Sequence, residues 1–263
     1  MAKTIPLETR GFGAEPGMPD VAALAGWVAG HRGIAADLYA YQLDRSLEPQ
    51  IAAGIIRPCA GGLFYRDRVR GSLCGICENI VTDEIGAETG TVSEDAGFIT
   101  AQKKGAWCAI PAPHELGIAD RYYCDEDEWN DALAGAYRTI MRAMRDAGIG
   151  GHVLLCGMMN EADISLLARD NVFFFPTAPD EVSLRILMEH QRRVAVNKKM
   201  LETVFDLANE YDLHQLIVMD PDEEAIRLAL SHLDPDQVMA GGYCTDACDT
   251  YWGKLMERAV YRK

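Results

Sequence analysis

The sequence predicts a parallel (β/α)8-type barrel with a helical N-terminal extension. Short apolar runs alternate with segments of helical periodicity, and successive runs lie about twenty residues apart, as in right-handed βαβ units. The chain of 263 residues also has a length common for such a barrel. The alternative is a doubly wound open α/β sheet, which usually has a G-x-G-x-x-G turn after its first strand. No such turn follows an apolar run here, and this favours the barrel.

Each predicted strand is a short apolar run, and each predicted helix has apolar residues three and four positions apart. The strands are expected at 107–112, 152–156, 172–176, 194–196, 216–219 and 237–241, with two more at 63–67 and 79–83. The helices are expected at 125–147, 180–191, 198–211 and 222–233. The first of these helices has an acidic first turn and is followed by Gly148, which are typical start and stop signals.

Two domains are expected. Residues 1–60 are predicted to be a mainly helical extension that caps or flanks the barrel, and residues 61–263 the barrel itself. The apolar run at 21–30 is too short to cross a bilayer and has no basic segment ahead of it, so neither a membrane helix nor a signal peptide is predicted. We therefore expect a cytoplasmic protein.

The chain is strongly acidic, with 25 basic and 40 acidic residues and a net charge of −15. Such a surface repels phosphate backbones and anionic lipids, which disfavours nucleic-acid and membrane-surface partners. The expected partner is a small-molecule substrate. A homo-oligomer is left open.

Eight cysteines in a reducing compartment are expected to be core residues, metal ligands or catalytic groups rather than disulfides. Cys74 and Cys77 are separated by two residues, one of them Gly75, so a turn could direct both sulfur atoms at one ion. Cys59 could join them if residues 60–73 fold back as a loop or hairpin. A redox dithiol of Cys74 and Cys77 is the second interpretation.

A second cysteine pair lies near the end of the sequence. Cys244 and Cys248 are four positions apart, directly after the last predicted strand, where the start of a helix would stabilise thiolate. Thiolates suit zinc or an iron–sulfur cluster. We therefore predict zinc or a 4Fe–4S cluster held first by Cys74, Cys77 and Cys244, with Cys59 and Cys248 as further ligands.

The other three cysteines lie in or beside apolar runs. Cys108 and Cys124 are expected in the core, and the role of Cys156 is left open.

The run Gly241–Gly242–Tyr243–Cys244 resembles the glycine–glycine–cysteine turn of zinc-dependent homocysteine methyltransferases. The resemblance implies a thiolate ligand at a strand end of a barrel. Tyr243 and Thr245 depart from that family's pattern, and no other part of the chain shares it. The match is too short to assign the chain to that family.

Polar residues that follow predicted strands are candidates for catalysis, because the active site of a parallel barrel lies at the carboxyl ends of its strands. His114 and Glu115 are the predicted acid–base pair, since imidazole titrates near neutrality and a neighbouring carboxylate tunes it. Asp83, beside Glu84, is the third candidate. For Lys198 a surface position is expected, and for His152 a structural role. Asp220, Pro221 and Asp222 are expected to begin the next helix, with an acidic residue at its cap.

These features together predict a metal-dependent enzyme that acts on a small molecule by thiol or alkyl transfer or by carbonyl activation. Whether it is a transferase, a lyase or an oxidoreductase is left open. The alternatives are a binding or assembly protein with a structural metal, or a thiol–disulfide oxidoreductase using Cys74 and Cys77. Nucleotide-binding, zincin and serine-hydrolase motifs do not occur in the sequence.

Overall fold

The computed structural model describes residues 4–31, 36–246 and 248–262. The strands are β1 (Thr4–Pro6), β2 (Glu8–Ala14), β3 (Cys59–Gly61), β4 (Leu73–Cys77), β5 (Ile80–Ala87), β6 (Trp107–Pro111), β7 (Ala119–Asp120), β8 (Gly151–Cys156), β9 (Val172–Pro176), β10 (Arg193–Asn197), β11 (Gln215–Met219), β12 (Val238–Cys244) and β13 (Val260–Arg262). The α-helices are α1 (Val21–Gly30), α2 (Leu38–Ala53), α3 (Arg66–Gly71), α4 (Gly90–Gln102), α5 (Glu126–Asp146), α6 (Glu161–Leu167), α7 (Glu181–His190), α8 (Leu201–Leu207), α9 (Glu223–Leu230) and α10 (Cys248–Arg258). Short 3-10 helices cover Leu63–Tyr65, Pro113–Leu116 and Lys198–Met200.

The fold is mixed α/β and is built on two four-stranded parallel sheets, ordered β10-β11-β12-β2 and β3-β6-β8-β9. A parallel bridge between Arg10 and Arg57 joins β2 to the start of β3. On the other side, the Gln191 amide accepts the N–H of Phe174 at 2.8 Å and donates to the carbonyl of Arg193 at 2.6 Å. In the described part of the chain no backbone ladder joins β9 to β10.

The alternation of strands and helices in the second half of the chain follows the sequence prediction. The predicted runs at 107–112, 152–156, 172–176, 194–196, 216–219 and 237–241 are β6, β8, β9, β10, β11 and β12. Helix α5 buries an apolar face that includes Leu133, Tyr137 and Met144, and Asp125 caps its start by accepting the N–H of Glu128. Burying each such large side chain stabilises the fold by roughly 1.5–3 kcal/mol.

Of the two further predicted strands, the one at 63–67 is wrong, and the one at 79–83 is a strand that lies outside the two parallel sheets. Residues 63–67 form a 3-10 helix and the start of α3, because the Glu15 carboxylate accepts the N–H groups of Leu63 and Phe64 and turns the chain there. Residues 79–83 do enter a strand, β5, but it pairs antiparallel with β4 and parallel with β7 in a separate three-stranded sheet.

Helices make up most of the regular structure described in the first sixty residues, but strands that the sequence does not predict accompany them. Besides α1 and α2 they contain β1 and β2, and β2 is the outer neighbour of β12 in a parallel sheet. The sequence pattern does not predict β2, because two glycines and an arginine interrupt the apolar run in its sequence, ETRGFGA. In the structure every residue of β2 after Glu8 is buried. The strand pairing therefore spans the predicted boundary at residue 60.

The two parallel sheets enclose an apolar core between their inner faces. Phe12, Cys59, Val153, Phe173 and Ile217 belong to it, each with essentially no exposed surface. A larger apolar layer lies between the outer faces of the sheets and the helices. No helix among the described residues combines the length and apolar character that crossing a membrane requires.

Candidate functional site

The carboxyl ends of β9, from one parallel sheet, and of β10, β11 and β12, from the other, surround a cavity of about 250 Å³. In α/β folds of this kind the residues that follow the strands carry the chemistry. The lining combines apolar and polar groups from the four strands and the loops that follow them: Phe175, Pro176, Thr177, Pro179, Ala195, Val196, Asn197, Met219, Asp220, Tyr243 and Thr245. The cavity is large enough for a small molecule only.

Tyr243 forms one wall of the cavity and is held by a carboxylate. Its phenol donates a hydrogen bond to Glu15, which follows β2 and also accepts the N–H of Leu63 at 2.5 Å. Burial, and then the charge of Glu15, raise the pKa of Tyr243 well above its usual range, so the phenol stays protonated as a donor. The ring lies against Phe175 with centroids 6.0 Å apart.

Asp220 also lines the cavity, and its backbone conformation is unusual. Its φ is +47°, in the left-handed region, and its N–H donates to the carbonyl of Gly241 at 2.9 Å. Its carboxylate accepts a hydrogen bond from the Tyr251 phenol. Partial burial of the carboxyl group raises the pKa of Asp220 against the opposing effects of Tyr251 and Arg258, although the residue as a whole is exposed. Such strained residues are concentrated at functional sites.

The expectation that this acidic stretch begins the next helix is confirmed for Asp222 but not for Asp220. Asp222 has that role, because its side chain accepts the N–H of Ala225 at 2.7 Å and caps α9. The only hint in the sequence is the position of Asp220 directly after an apolar run, and the left-handed conformation cannot be read from it.

Cys244 and Cys248 form a disulfide with Cα atoms 5.8 Å apart. Cys244 ends β12 and Cys248 begins α10, and the turn between strand and helix brings the two Cα atoms within the range that a disulfide spans. The expectation of two free thiols is therefore not met. Cys248 and Thr245 also line a second cavity of about 240 Å³, together with Glu15, Tyr41 and Arg45.

The other predicted metal ligands lie in different surroundings. Cys59 is buried on β3, where burial, opposed by Arg10, raises the pKa of its thiol to about 12. Cys74 and Cys77 lie on β4 and pair with Gly86 and Ile80 of the neighbouring strand. Across residues 4–31, 36–246 and 248–262, no group of three or more His, Cys, Asp or Glu side chains is placed to hold a metal ion.

The antiparallel pairing of β4 with β5 explains why the thiols of Cys74 and Cys77 do not meet those of the other predicted ligands. Since β4 and β5 form part of the separate three-stranded sheet, the CGIC segment is an extended strand rather than a metal-binding turn. Cys108 is buried as expected, and Cys156 is buried as well. Cys124 is exposed, with a φ of +54°, so its predicted place in the core is wrong.

His114 and Glu115 lie side by side after β6, with Nε2 and Oε1 3.5 Å apart. A third group, not predicted, completes the cluster: Asp163 of α6 contacts Nδ1 of His114 at 2.5 Å. Burial disfavours the imidazolium, but the hydrogen bond to Asp163 and the charges of Asp163 and Glu115 outweigh burial and raise the pKa of His114. Glu115 also accepts the N–H of Gly157 at 2.6 Å.

This cluster links the loop after β6 to the loop after β8. Because both imidazole nitrogens face acceptors, the group is arranged to hold a proton as well as to pass one on. Its members are not among the residues that line the 250 Å³ cavity.

The remaining candidates lie on the surface or in the core. Asp83 is exposed on β5, where its carboxylate accepts the N–H of Glu84 at 2.8 Å. Lys198 pairs with Asp222 at 3.0 Å and with Glu224, as expected of a surface lysine. His152 is fully buried, and burial lowers its pKa to about 3, so it is a neutral core residue.

Protein-family models and curated proteins give no match to the chain. Solved structures do. A putative vitamin-B12-independent methionine synthase from Listeria monocytogenes is 17% identical, with 96% of this chain and 95% of that chain covered and a TM-score of 0.57. A B12-independent methionine synthase from a Shewanella species, in complex with selenomethionine, is 14% identical, with 97% and 95% covered and a TM-score of 0.56. The chain shares their fold.

Proposed function

We propose that the chain is an enzyme that acts on a small molecule in the 250 Å³ cavity at the carboxyl ends of β9–β12, with transfer of a thiol or alkyl group as the reaction class. The observation that carries the proposal is that Asp220 and Tyr243 line this cavity at the ends of the adjacent strands β11 and β12, beside the Cys244–Cys248 disulfide. The structural neighbours support the reaction class. They are described as methionine synthases, and one contains a bound selenoether amino acid.

We also propose that the two parallel sheets close into a (β/α)8-type barrel. The Arg10–Arg57 bridge supports closure on one side. The Gln191 side chain, hydrogen-bonded to Phe174 and Arg193, supports it on the other. Closure would bring the carboxyl ends of all eight parallel strands to one rim.

The residues of the cavity have separate roles in this proposal. Phe175 and Met219 provide apolar surface for the alkyl part of a ligand. Tyr243, whose single O–H is donated to Glu15, can accept a hydrogen bond from a polar group of the ligand on its phenol oxygen. Asp220, whose carboxyl has a raised pKa, accepts a proton more readily than an ordinary aspartate.

The predicted zinc or 4Fe–4S centre does not fit the donor groups as they are arranged. Cys244 and Cys248 are bonded to each other, and Cys59, Cys74 and Cys77 lie elsewhere. We therefore derive no step through a metal. Ligation by these cysteines stays a prediction, and metal analysis of the protein before and after reduction tests it.

The disulfide favours a second candidate function, thiol–disulfide exchange at Cys244 and Cys248 rather than at Cys74 and Cys77. A substrate thiolate would attack one sulfur atom, forming a mixed disulfide and releasing the other cysteine as thiolate. A second substrate thiol would then displace the first, so that two thiols give one substrate disulfide and the reduced cysteine pair. This reaction consumes no metal and needs only the thiol substrate.

Binding measurements test the first function. Titration calorimetry with a short thiol amino acid and with its S-methyl ether should show saturable binding, weakened at least about tenfold in Asp220→Asn and Tyr243→Phe, the scale of one lost polar contact. Tyr122→Phe and Asp131→Asn change exposed residues and serve as matched controls.

Two results would count against this function. One is binding that survives both cavity substitutions. The other is no binding of either ligand, together with stoichiometric oxidation of the thiol by the Cys244–Cys248 disulfide, which would leave the exchange reaction as the better assignment. No binding and no oxidation would point to the assembly role.

A further inference from the structure

Three arginines converge at the amino ends of the parallel strands, opposite the proposed active site. Side chains alternate along a strand, so Arg10 faces the same side as Phe12, and Arg193 the same side as Ala195. Phe12 and Ala195 belong to the core between the sheets. Arg57 is bridged to Arg10 in the register of the strands.

Arg10 is buried without a hydrogen-bond partner. It is 1% exposed, and both of its terminal nitrogens lack an acceptor in the described part of the protein. Its guanidinium lies over the Trp107 ring at 4.1 Å and the Phe173 ring at 4.8 Å. These contacts offset part of the cost of a buried charge, but they leave its N–H donors unused. Burial lowers the pKa of Arg10 to about 9, so it remains a cation at neutral pH.

Arg193 connects this buried charge to an open cavity. The guanidinium of Arg193 also lies over the Phe173 ring, 5.8 Å from its centroid. It donates a hydrogen bond to the carbonyl of Asp170 at 2.7 Å. The cavity measures about 620 Å³. Its charged and titratable lining is mostly basic: Arg169, Arg192, Arg193, His190 and His214, with Asp170 as the acidic member.

This concentration of positive charge is unusual for a chain with a net charge of −15. Carboxylates neutralise only part of it. Arg57 pairs with Glu8 at 2.9 Å and Arg192 with Asp212 at 3.7 Å, both at exposed positions where such pairs contribute little. Arg10 and Arg193 have no carboxylate partner within ion-pairing distance among the described residues.

We propose that the basic cavity at the amino ends of β9–β11 binds a small oxyanion, a phosphate group, on Arg193, with Arg10 behind it as a fixed positive charge. Guanidinium groups bind tetrahedral oxyanions through paired N–H donors, and low-dielectric surroundings strengthen the attraction. The phosphate could be inorganic or part of a small monoester. The site is separate from the proposed active site and does not depend on it.

Phosphate binding to the intact protein tests the proposal. We expect inorganic phosphate, titrated at constant ionic strength against chloride, to bind saturably by calorimetry and to change the fluorescence of Trp107. Arg193→Met should weaken binding at least about tenfold, because it removes a charge-assisted hydrogen bond donor. Arg10→Met should weaken it less, through lost charge alone. Arg185→Met is the control, since Arg185 lies on α7 and pairs with Glu181 and Glu210.

Glycerol 3-phosphate distinguishes the two sources of the phosphate group. Tighter binding than inorganic phosphate would identify a monoester site, and equal or weaker binding an inorganic phosphate site. If Arg10→Met fails to fold, Arg193→Met and Arg192→Met still decide the question. The proposal is overturned if wild-type protein binds neither ligand, or if Arg193→Met binds as tightly as Arg185→Met.

Discussion

The sulfur atoms of Cys244 and Cys248 are joined, and their bond fastens the last residue of β12 to the first turn of α10. The backbone carbonyl of Cys244 also accepts the N–H of Glu15 at 2.7 Å. The same turn therefore anchors both a helix and the carboxylate that holds Tyr243. The oxidation state of this pair bears directly on the shape of the proposed active site.

Reducing the disulfide should destabilise the protein modestly. The closed loop is short, so chain entropy predicts a loss of about 2 kcal/mol in the free energy of unfolding. Urea unfolding with and without a reductant measures it, and a Cys244→Ser/Cys248→Ser variant should match the reduced protein. The Cys74→Ser/Cys77→Ser variant is the control and should respond to reductant as the wild type does. Equal midpoints for oxidised and reduced wild type would contradict the pairing.

The free thiols should differ widely in reactivity. Cys77 and Cys124 are exposed, whereas Cys59, Cys108 and Cys156 are buried, and burial raises the pKa of each buried thiol. Alkylation by iodoacetamide needs an accessible thiolate. Mass spectrometry over time should therefore show Cys77 and Cys124 modified first, and the buried three only when the protein unfolds. Early modification of Cys59 would place it outside the core.

The His114 cluster should make stability depend on pH. A raised folded-state pKa means that the native protein holds this proton more tightly than the unfolded chain does. The stabilisation is fully present below pH 6.5, the ordinary value for histidine, and is lost as pH rises through the higher folded pKa. His114→Gln should therefore be less stable than wild type at low pH and approach it at high pH.

Urea midpoints across this pH range measure the effect. His232→Gln is a suitable control, because His232 is an exposed residue stacked on Phe205. A constant difference between wild type and His114→Gln at every pH would show that packing, and not the proton, accounts for the loss.

Substitutions at Asp220 should separate charge from backbone conformation. Its raised folded-state pKa means that its contribution to stability is present below pH 3.8 and is lost as pH rises through the folded value. Asparagine does not ionise and tolerates the left-handed conformation. The Asp220→Asn protein should therefore unfold at a higher urea concentration than the wild type near neutral pH. Asp220→Ala should be less stable than Asp220→Asn by about 1 kcal/mol, because alanine is disfavoured there.

The outcome that contradicts this interpretation is an Asp220→Asn protein less stable than wild type at neutral pH. That result would mean that the ionised carboxylate is needed for the hydrogen bond from Tyr251. Tyr251→Phe would then show the same loss.

The sequence predicts the part of the fold in which local pattern and tertiary environment agree. Strands such as β9 and β11 are continuous apolar runs buried on both faces, and their neighbours are amphipathic helices. β3 is too short to stand out, and β2 contains glycines. The apolar run at Leu63 becomes a 3-10 helix because of Glu15, a residue 48 positions away.

The candidate functional site is harder to predict from the sequence, because its contacts also join residues that are distant along the chain. The sequence brings attention to His114 and Glu115 because they are adjacent, but Asp163 joins them only through the fold. The thiol spacing in CGIC is compatible with a turn or a strand, and β5 decides in favour of the strand. In the sequence Arg10 looks like an ordinary surface residue, but in the fold it lies on β2, at the edge of a parallel sheet, and is buried.

The contact between β9 and β10 has a mechanical consequence. Along this line one amide side chain, that of Gln191, makes the hydrogen bonds that backbone ladders make elsewhere in the described sheets. We expect local opening of the structure to occur there first, so the backbone N–H of Phe174 should exchange with deuterium sooner than the backbone N–H groups of β8. Replacing Gln191 with leucine should make the exchange at Phe174 faster still.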